Sequence, residues 1–432
     1  DVSETLARYL RCVYETTAVA GRVEAVHRVY LEFPSVRPLT LAQLSSTRLD
    51  PLPDLDAFLP GWIDALLANT NHPRSPDRVR LLAEAAMLHA GVDGLADLLR
   101  RAGPHQGGIG LARIDALTAA GRLVDARAVA QEALDLSGAS DQHRAEAADR
   151  LAVLAGQFGD VTGAVAARRR AWTSQPTRPR LLAMAATSIE AGVLLETLAA
   201  EADVTSAAGG VAVDRLGCEL LLLAGRLDQA VAELTTSSPL GWHSADHPGP
   251  VVLPVLWAAA TGAAPALDAG HLGQLFAAID IEPRALPSVD DWLPASVDGS
   301  PARSGPPAPA SPQLTDLLAD AIARLVGDSV ARDTDTRDAG TRDAGTRDTW
   351  LTIAGTVADA RINAIVSGKH RGAYARAASL AYAHAEALAG VGREAEARGY
   401  LEGVRARFPR HIAFRGEFDA AASASTLRPR RR

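Results

Sequence analysis

The chain has 432 residues, of which 47% are hydrophobic and only 4% aromatic, and its formal net charge is −7 at pH 7. This length allows two or three domains or one extended repeat array, and the Ala- and Leu-rich composition favours helices. Two cysteines, Cys12 and Cys218, are too few and too far apart for a disulfide framework or a thiolate metal cluster, and we expect both to be buried free thiols. No basic stretch followed by an apolar run opens the sequence, so a cytoplasmic protein is the default expectation.

The charge is unevenly distributed along the chain. Residues 361–432 contain fourteen Lys/Arg and six Asp/Glu, a net charge of +8, whereas residues 1–360 carry −15. A mixed chain of this kind is not typical of a general nucleic-acid-binding protein. Its C-terminal segment nevertheless has the charge to contact an acidic partner.

Helical hairpins are predicted from the N-terminus onward. A first hairpin covers residues 1–33, and a Pro-rich connector with a short helix follows at residues 34–77. Residues 78–290 then repeat one pattern, in which Gly-Arg separates two apolar helical runs. Strong copies of the pattern are "LTAAGRLVDARAVAQEAL" at Leu117 and "LLLAGRLDQAVAEL" at Leu221, and two more begin outside this range, at Ala18 and Leu388. Weaker copies lie between them, around Gly91, Gly159 and Gly192.

The turn glycines of this pattern recur at nearly constant spacing. Steps of 30, 38, 33 and 33 residues separate Gly91, Gly121, Gly159, Gly192 and Gly225. This spacing, and above all "AAGRLVDARAVAQEAL" (Ala119–Leu134), resembles the tetratricopeptide repeat, whose period is thirty-four residues. The resemblance covers about Arg78 to Leu234 and lacks most of the Trp, Tyr and terminal Pro of the strong consensus. It implies an all-α fold, an α-solenoid of antiparallel helical hairpins.

The longest apolar stretch is "VVLPVLWAAATGAAPAL" (Val251–Leu267). It is shorter than a comfortable membrane span and is interrupted by Pro254 and Pro265. We therefore expect a buried helix and no membrane association.

Two low-complexity segments make up most of the predicted insertion at residues 291–349. "LPASVDGSPARSGPPAPASPQ" (Leu293–Gln313) is rich in Pro, Ser and Gly, and "DTDTRDAGTRDAGTRDTW" (Asp333–Trp350) contains a tandem TRDAG unit. A short helix is predicted between them, at Leu314–Val326. Because the two segments lack the apolar side chains that would offset the entropy of ordering, we predict a mostly disordered insertion.

Regular helical periodicity returns at residue 350. Residues 350–422 place Ala, Leu, Ile and Tyr three and four positions apart, which predicts C-terminal helical hairpins that cap the array. Residues 423–432 form a basic tail that ends in RPRRR.

The stretch "PLGWHSADHPGP" (Pro239–Pro250) is the most unusual in composition. His243 and His247 are four residues apart, a spacing that brings two metal ligands together only on a helix, which the prolines and glycines disfavour. Asp246 would add an oxygen ligand, but no further cluster completes a metal site. We favour a loop in which Trp242 is largely buried between hairpins, with partner recognition by Trp242 and His243 as the alternative.

Two basic motifs in the C-terminal region are candidates for partner binding. "SGKHRGAYARA" presents Lys369, His370 and Arg371, which we interpret as a solvated helix start rather than a phosphate-binding loop. "RARFPRHIAFRGEFDAA" interleaves arginines with phenylalanines, as a helical cap or a nucleic-acid contact would. Its candidate contact residues are Arg405, Arg407, Arg410 and Arg415.

A second resemblance concerns the C-terminal half. "PLGWHSADHPGPVVLP", "KHRGAYARAASLAYAHAEAL" and "RARFPRHIAFRGEFDAA" are similar to the helical C-terminal region of actinobacterial proteins that elsewhere carry a SWIM zinc finger. The Cys-x-Cys and Cys-x-His pairs of that finger are missing from this sequence. The resemblance therefore implies no zinc or DNA binding.

No motif of an enzyme stands out in the sequence. It has no Gly-x-Ser-x-Gly elbow, His-Glu-x-x-His helix or dinucleotide fingerprint. We therefore expect no catalysis and no cofactor, and predict a scaffold that binds a protein or peptide along the concave face of its helices. The alternative is a nucleic-acid-associated accessory protein that uses the Arg-rich C-terminal segment.

Overall fold

The computed structural model describes residues 2–33, 38–68, 75–136, 139–207, 213–281, 312–333 and 339–427. All regular secondary structure in these ranges is helical, and none of their residues forms a strand. The all-α prediction is therefore confirmed. The chain divides into two compact units, residues 1–180 and residues 181–432.

The first unit is built from helices that pack mainly on their neighbours in sequence. They are α1 (Val2–Thr16), α2 (Arg22–Glu32), α3 (Leu41–Ser45), α4 (Leu55–Ala68), α5 (Ser75–Arg101), α6 (Gln106–Ala119), α7 (Leu123–Ala133), α8 (Asp141–Gln157) and α9 (Val161–Ser174). Thus α6 contacts α5, α7 and α8, and α8 contacts α7 and α9. Packing between successive helices is the pattern of helical-repeat proteins.

The Pro-rich connector packs into the core of this unit. Leu44, Phe58 and Trp62 are buried there. The Glu84 carboxylate accepts hydrogen bonds from two backbone amides at the start of α3, at 2.7 and 2.8 Å. Arg11, which is 2% exposed, donates to the carbonyl of Ser45 at the end of α3 and to the carbonyl of Asp50 between α3 and α4. Charged side chains thus satisfy backbone groups that a short helix leaves unpaired.

The five predicted turn glycines have positive φ, between 61° and 76°. At Gly121 the amide of Arg122 donates to the carbonyl of Leu117 at 2.9 Å. This bond defines a Schellman motif, in which glycine has no Cβ to oppose positive φ. Equivalent bonds close the turns at Gly159, Gly192, Gly225 and Gly392.

Two glycines of the sequence pattern behave differently. Gly91 interrupts α5, where the neighbouring Ala90 is also non-helical. Gly21 has φ −101° and is the last residue of a short 3₁₀ turn, Val19–Gly21, so its Gly-Arg pair is no Schellman turn.

The second unit comprises the remaining helices. They are α10 (Arg178–Glu190, whose first residues belong to the first unit), α11 (Leu194–Ala207), α12 (Arg215–Leu223), α13 (Leu227–Thr236), α14 (Gly249–Thr261), α15 (Gly270–Ala277), α16 (Leu314–Asp333), α17 (Ala339–Ser367), α18 (Tyr374–Gly390), α19 (Glu394–Arg407) and α20 (Ile412–Ala421). The apolar stretch predicted to be a buried helix forms α14. This helix packs against α12, α13, α15, α16, α17 and α18. Helices distant in sequence therefore share one core.

The predicted insertion is more ordered than expected. The helix at Leu314 extends to Asp333, and the TRDAG repeats from Ala339 onward belong to α17. The disorder prediction is wrong for this part, because buried residues such as Leu351 anchor α17 and extending an existing helix is easier than nucleating one. Residues 282–311 and 428–432 lie outside the described residues.

Only one cysteine prediction agrees with the structure. Cys218 is buried, and burial raises its pKa to about 12. Cys12 is exposed, because it lies on the solvent side of α1, so the expectation that both thiols are buried was wrong for it.

Candidate functional site

The stretch "PLGWHSADHPGP" lies in the connection between α13 and α14. Residues 237–248, here called the Trp242 loop, join the two helices without regular secondary structure, and Gly249 and Pro250 begin α14. Proline in the first turn of α14 loses no intrahelical hydrogen bond. The stretch is thus a loop that leads into a helix, as its prolines and glycines predict.

His247 holds the Trp242 loop together. Its Nε2 lies 2.8 Å from the carbonyl oxygen of Ser238, and its Nδ1 accepts a hydrogen bond from the amide of Gly249 at 3.0 Å. These contacts assign the proton to Nε2. Burial, followed by the charge of Arg361, lowers the pKa of His247 below its ordinary value. The ring is therefore a neutral brace of the loop.

The other metal-ligand candidates in the loop point elsewhere. His243 and Asp246 are exposed. The backbone carbonyl of Asp246 accepts a hydrogen bond from the amide of Arg215 at 2.8 Å. Across the described ranges, no three His, Cys, Asp or Glu side chains are grouped to hold a metal ion.

Trp242 is half-buried and not largely buried as predicted. The guanidinium of Arg361 lies 5.2 Å from the centre of its ring, and the ring of His247 lies 5.5 Å away. Gly249 approaches so closely that a Cβ at this position would lie 2.5 Å from the indole. The indole Nε1 is buried and has no hydrogen-bond partner among the described atoms. The side chain stays partly exposed because it forms a wall of a cleft.

This cleft, here called the Trp242 cleft, has a volume of about 330 Å³. It is bounded by the end of α13, the Trp242 loop and one face of α17. Its lining residues are Leu234, Thr235, Ser237, Ser238, Pro239, Trp242, His247, Thr352, Ile353, Thr356, Val357 and Ala360. Aliphatic, aromatic and hydroxyl side chains dominate the lining, and His247 is the titratable residue in it.

Arg361 lies next to the Trp242 cleft and is 6% exposed. It donates a hydrogen bond to the carbonyl of Pro239 at 2.7 Å. Burial, followed by the like charge of Arg376, lowers the pKa of Arg361 to about 10. Even so, Arg361 is positively charged at neutral pH.

The basic residues predicted at the start of α18 are exposed. Lys369, His370 and Arg371 form the turn between α17 and α18. Lys369 has φ 56°, an unusual value for a residue with a side chain. The amide of His370 donates to the carbonyl of Ile365 at 3.0 Å, as in the glycine turns. Lys369 thus occupies the position that glycine has elsewhere.

The arginines predicted near the C-terminus are partly neutralised. Arg405 pairs with Asp419 at 3.0 Å, and Arg407 pairs with Asp359 at 3.0 Å. Arg410 is exposed and Arg415 half-buried, on either side of the start of α20. The phenylalanines among them, Phe408, Phe414 and Phe418, are buried and pack on one another. Such inward aromatics with outward arginines fit the cap interpretation of the motif.

The first unit has a separate groove of about 440 Å³ between α7, α8 and α9. Leu134, Leu151 and Ala155 contribute to its apolar surface, and Arg127 and Arg170 to its charged surface. Arg127 is paired with Asp160 and lies over the ring of Phe158. This groove is more polar than the Trp242 cleft.

Comparison of the chain with protein-family models, curated proteins and solved structures finds no match. The fold therefore defines its class, an all-α protein of packed helical hairpins, without naming a family. None of the helices in the described ranges is both long and apolar enough to cross a membrane.

Sequence reasoning identified the Trp242 loop but missed half of the cleft. The sequence predicted no functional role for Ile353, Val357 and Arg361 of α17, because these residues belong to a segment that was predicted only as part of the C-terminal helical cap. Their four-residue spacing marks one helix face, and this is the signal that could have found them.

Proposed function

We propose that the protein is a non-catalytic helical-repeat scaffold that binds a segment of a partner protein in the Trp242 cleft. The preformed cleft of about 330 Å³, with an aromatic wall and an apolar floor, is the observation that carries this proposal. Partly exposed aromatic side chains in pockets are frequent energetic centres of protein interfaces. A cleft between a braced loop and a helix can accept an apolar side chain without a large rearrangement.

The chemistry of the lining supports binding rather than catalysis. General acid–base catalysis requires a titratable group with a free position facing the substrate. Both ring nitrogens of His247, the titratable side chain in the cleft lining, are already engaged by backbone groups. Thr352 and Thr356 also line the cleft, but their hydroxyl groups have no free base beside them in this lining that could activate them. The hydroxyl of Thr356 donates to the carbonyl of Thr352.

The nucleic-acid alternative has weaker support. Phosphate binding requires several accessible cations whose charge is available to the ligand. Arg405 and Arg407 are instead paired with aspartates, and the phenylalanines between the arginines are buried. Stacking of bases on those rings would require the C-terminal cap to open.

The repeat architecture is best interpreted as tetratricopeptide-like. The regular glycine spacing together with the repeated Schellman turns supports this assignment. The similarity to the helical region of SWIM-associated proteins rests on three sequence segments and adds no function to the proposal.

Partner capture tests the proposed function. Tagged full-length protein would be incubated with nuclease-treated lysate of the organism that produces it, beside the variants Trp242→Ala and Phe158→Ala. Phe158 is an exposed aromatic residue of the first unit and serves as the control. We expect one or more polypeptides to bind the wild type and the Phe158 variant, and not the folded Trp242 variant. The proposal would be contradicted if nuclease treatment abolished the binding of these polypeptides, or if the Trp242→Ala variant bound them as well as the wild type does.

A further inference from the structure

Beside the Trp242 cleft lies a buried positive charge that no acidic side chain balances among the described residues. Arg361 is 6% exposed, and within the described ranges its guanidinium donates one hydrogen bond, to the carbonyl of Pro239. It also lies over the face of Trp242. An unpaired buried charge is unfavourable, because the lost hydration is not replaced by a counter-charge. An arriving anion would therefore offset a cost that the free protein already carries.

The geometry connects this charge with the cleft. Ile353, Val357 and Arg361 are four residues apart on α17 and so lie on one face of the helix. The first two line the cleft. Arg361 also contacts Pro239 and Trp242, both of which belong to the cleft wall. The guanidinium thus lies against the cleft wall that Pro239 and Trp242 form.

A second cation adds to the positive potential. Arg376, on α18, is exposed and makes no ion pair within the described part of the chain. Its charge acts on Arg361 and reinforces the effect of burial in lowering the pKa of that residue. Positive charge also acts on His247, whose pKa is lowered first by burial and then by the charge of Arg361. In both cases the charge that lowers the pKa is that of an arginine.

We propose, on the basis of the proposed function, that the Trp242 cleft recognises an acidic peptide segment. An apolar side chain of the partner fills the cleft, and the carboxylate of a neighbouring Asp or Glu accepts hydrogen bonds from Arg361. Arg376 contributes a second positive charge to the same carboxylate. A guanidinium suits this role because its planar array of N–H donors matches a carboxylate. The buried position of Arg361 and the apolar floor favour a peptide over a nucleic-acid backbone.

A peptide array followed by charge-reversal variants tests this inference. Fluorescent full-length protein would be applied to an array of random 12-residue peptides. The best binder would then be made again with each Asp or Glu replaced by Asn or Gln. Binding would be measured by fluorescence anisotropy for the wild type, Arg376→Glu and Arg398→Glu. Arg398 is exposed on α19, so its reversal is a control with the same change in net charge.

We expect the bound peptides to be enriched in acidic residues next to apolar ones. Amide replacement and Arg376→Glu should each weaken binding about tenfold, and Arg398→Glu by less than about twofold. Because Arg376 is exposed, its variant should fold even if replacement of Arg361 does not.

Two contrary results separate the two proposals. If apolar peptides bind without preference for acids, and Arg376→Glu has no effect, the anion inference is wrong while the proposed function stands. If no peptide binds, or if a labelled single-stranded oligonucleotide binds in place of peptides, both proposals are overturned.

Discussion

The indole N–H of Trp257 donates a hydrogen bond to Nδ1 of His384 at 3.1 Å, which joins α14 to α18 across 127 positions of sequence. Both side chains are buried, and the imidazole ring also lies 4.7 Å from the ring of Tyr400. Burial lowers the pKa of His384 to about 4. The bond to Trp257 requires an unprotonated Nδ1, so the neutral ring is part of the core.

The hydrogen bond between Trp257 and His384 predicts that the folded protein becomes less stable as the pH falls. The pKa of His384 is about 4 in the folded state and about 6.5 in an unfolded chain, so the unfolded state binds a proton first as the pH falls. The free energy of unfolding should therefore decrease between about pH 6.5 and pH 4, by an amount on the order of 3 kcal/mol. Urea unfolding at several pH values measures this decrease in the free energy of unfolding.

Substitution isolates the contribution of His384. His384→Gln should flatten the pH dependence in that range, whereas replacing the exposed His243 by Gln should leave it unchanged. An unchanged acid dependence in the His384 variant would show that other groups cause it.

Replacement of Lys369 by glycine should stabilise the protein. Its φ of 56° is unfavourable for a residue with a Cβ, and the same Schellman turn is made by glycine elsewhere. Lys369→Gly should raise the free energy of unfolding by roughly 0.5–1 kcal/mol. Gly225→Ala is the matched reverse change, because a Cβ there meets no atom within 4 Å, and it should lower stability by about 1 kcal/mol. Thermal denaturation of both variants shows whether each substitution raises or lowers stability. A Lys369→Gly variant that is less stable than the wild type would contradict this account.

Gly249 controls the position of Trp242. A Cβ at residue 249 would lie 2.5 Å from the indole, which Arg361 covers on a ring face. Gly249→Ala should therefore displace Trp242, lower stability by about 1–3 kcal/mol and reduce peptide binding. Gly156→Ala is the control, since a Cβ there meets no neighbour and should leave binding intact. Binding that survives Gly249→Ala would show that the indole position is unimportant.

Glu386 of α18 connects the residues that follow α20 with the start of α15 through hydrogen bonds of its carboxylate. Its carboxylate, 7% exposed, accepts hydrogen bonds from the amide of Leu272 at 2.8 Å, the hydroxyl of Ser425 at 2.7 Å and the amide of Thr426 at 3.0 Å. Glu386→Gln replaces an acceptor by a donor, so it should lower stability by about 2 kcal/mol and speed proteolysis after residue 421. The exposed Glu394, changed to Gln, should do neither. Equal proteolysis of the two variants would argue against this connecting role of Glu386.

Local sequence patterns determined the helical hairpins and their turns. Glycine at Gly121 or Gly225 permits positive φ whatever surrounds it, and apolar residues three and four apart favour a helix with one buried face. These are short-range effects, so they can be predicted from the residues themselves. The Trp242 loop was predictable for the same reason, because its prolines and glycines exclude a helix.

Tertiary packing alone decided the rest. The TRDAG residues became helical because α17 is anchored by distant helices, and Cys12 and Cys218 differ in exposure according to what packs over them. The cleft combines Trp242 with residues of α17 more than a hundred positions later. Arg361 is significant only because the fold buries it with no acidic partner among the residues that the structure describes. Burial and charge balance are properties of the assembled structure, since they depend on neighbours that sequence spacing does not specify.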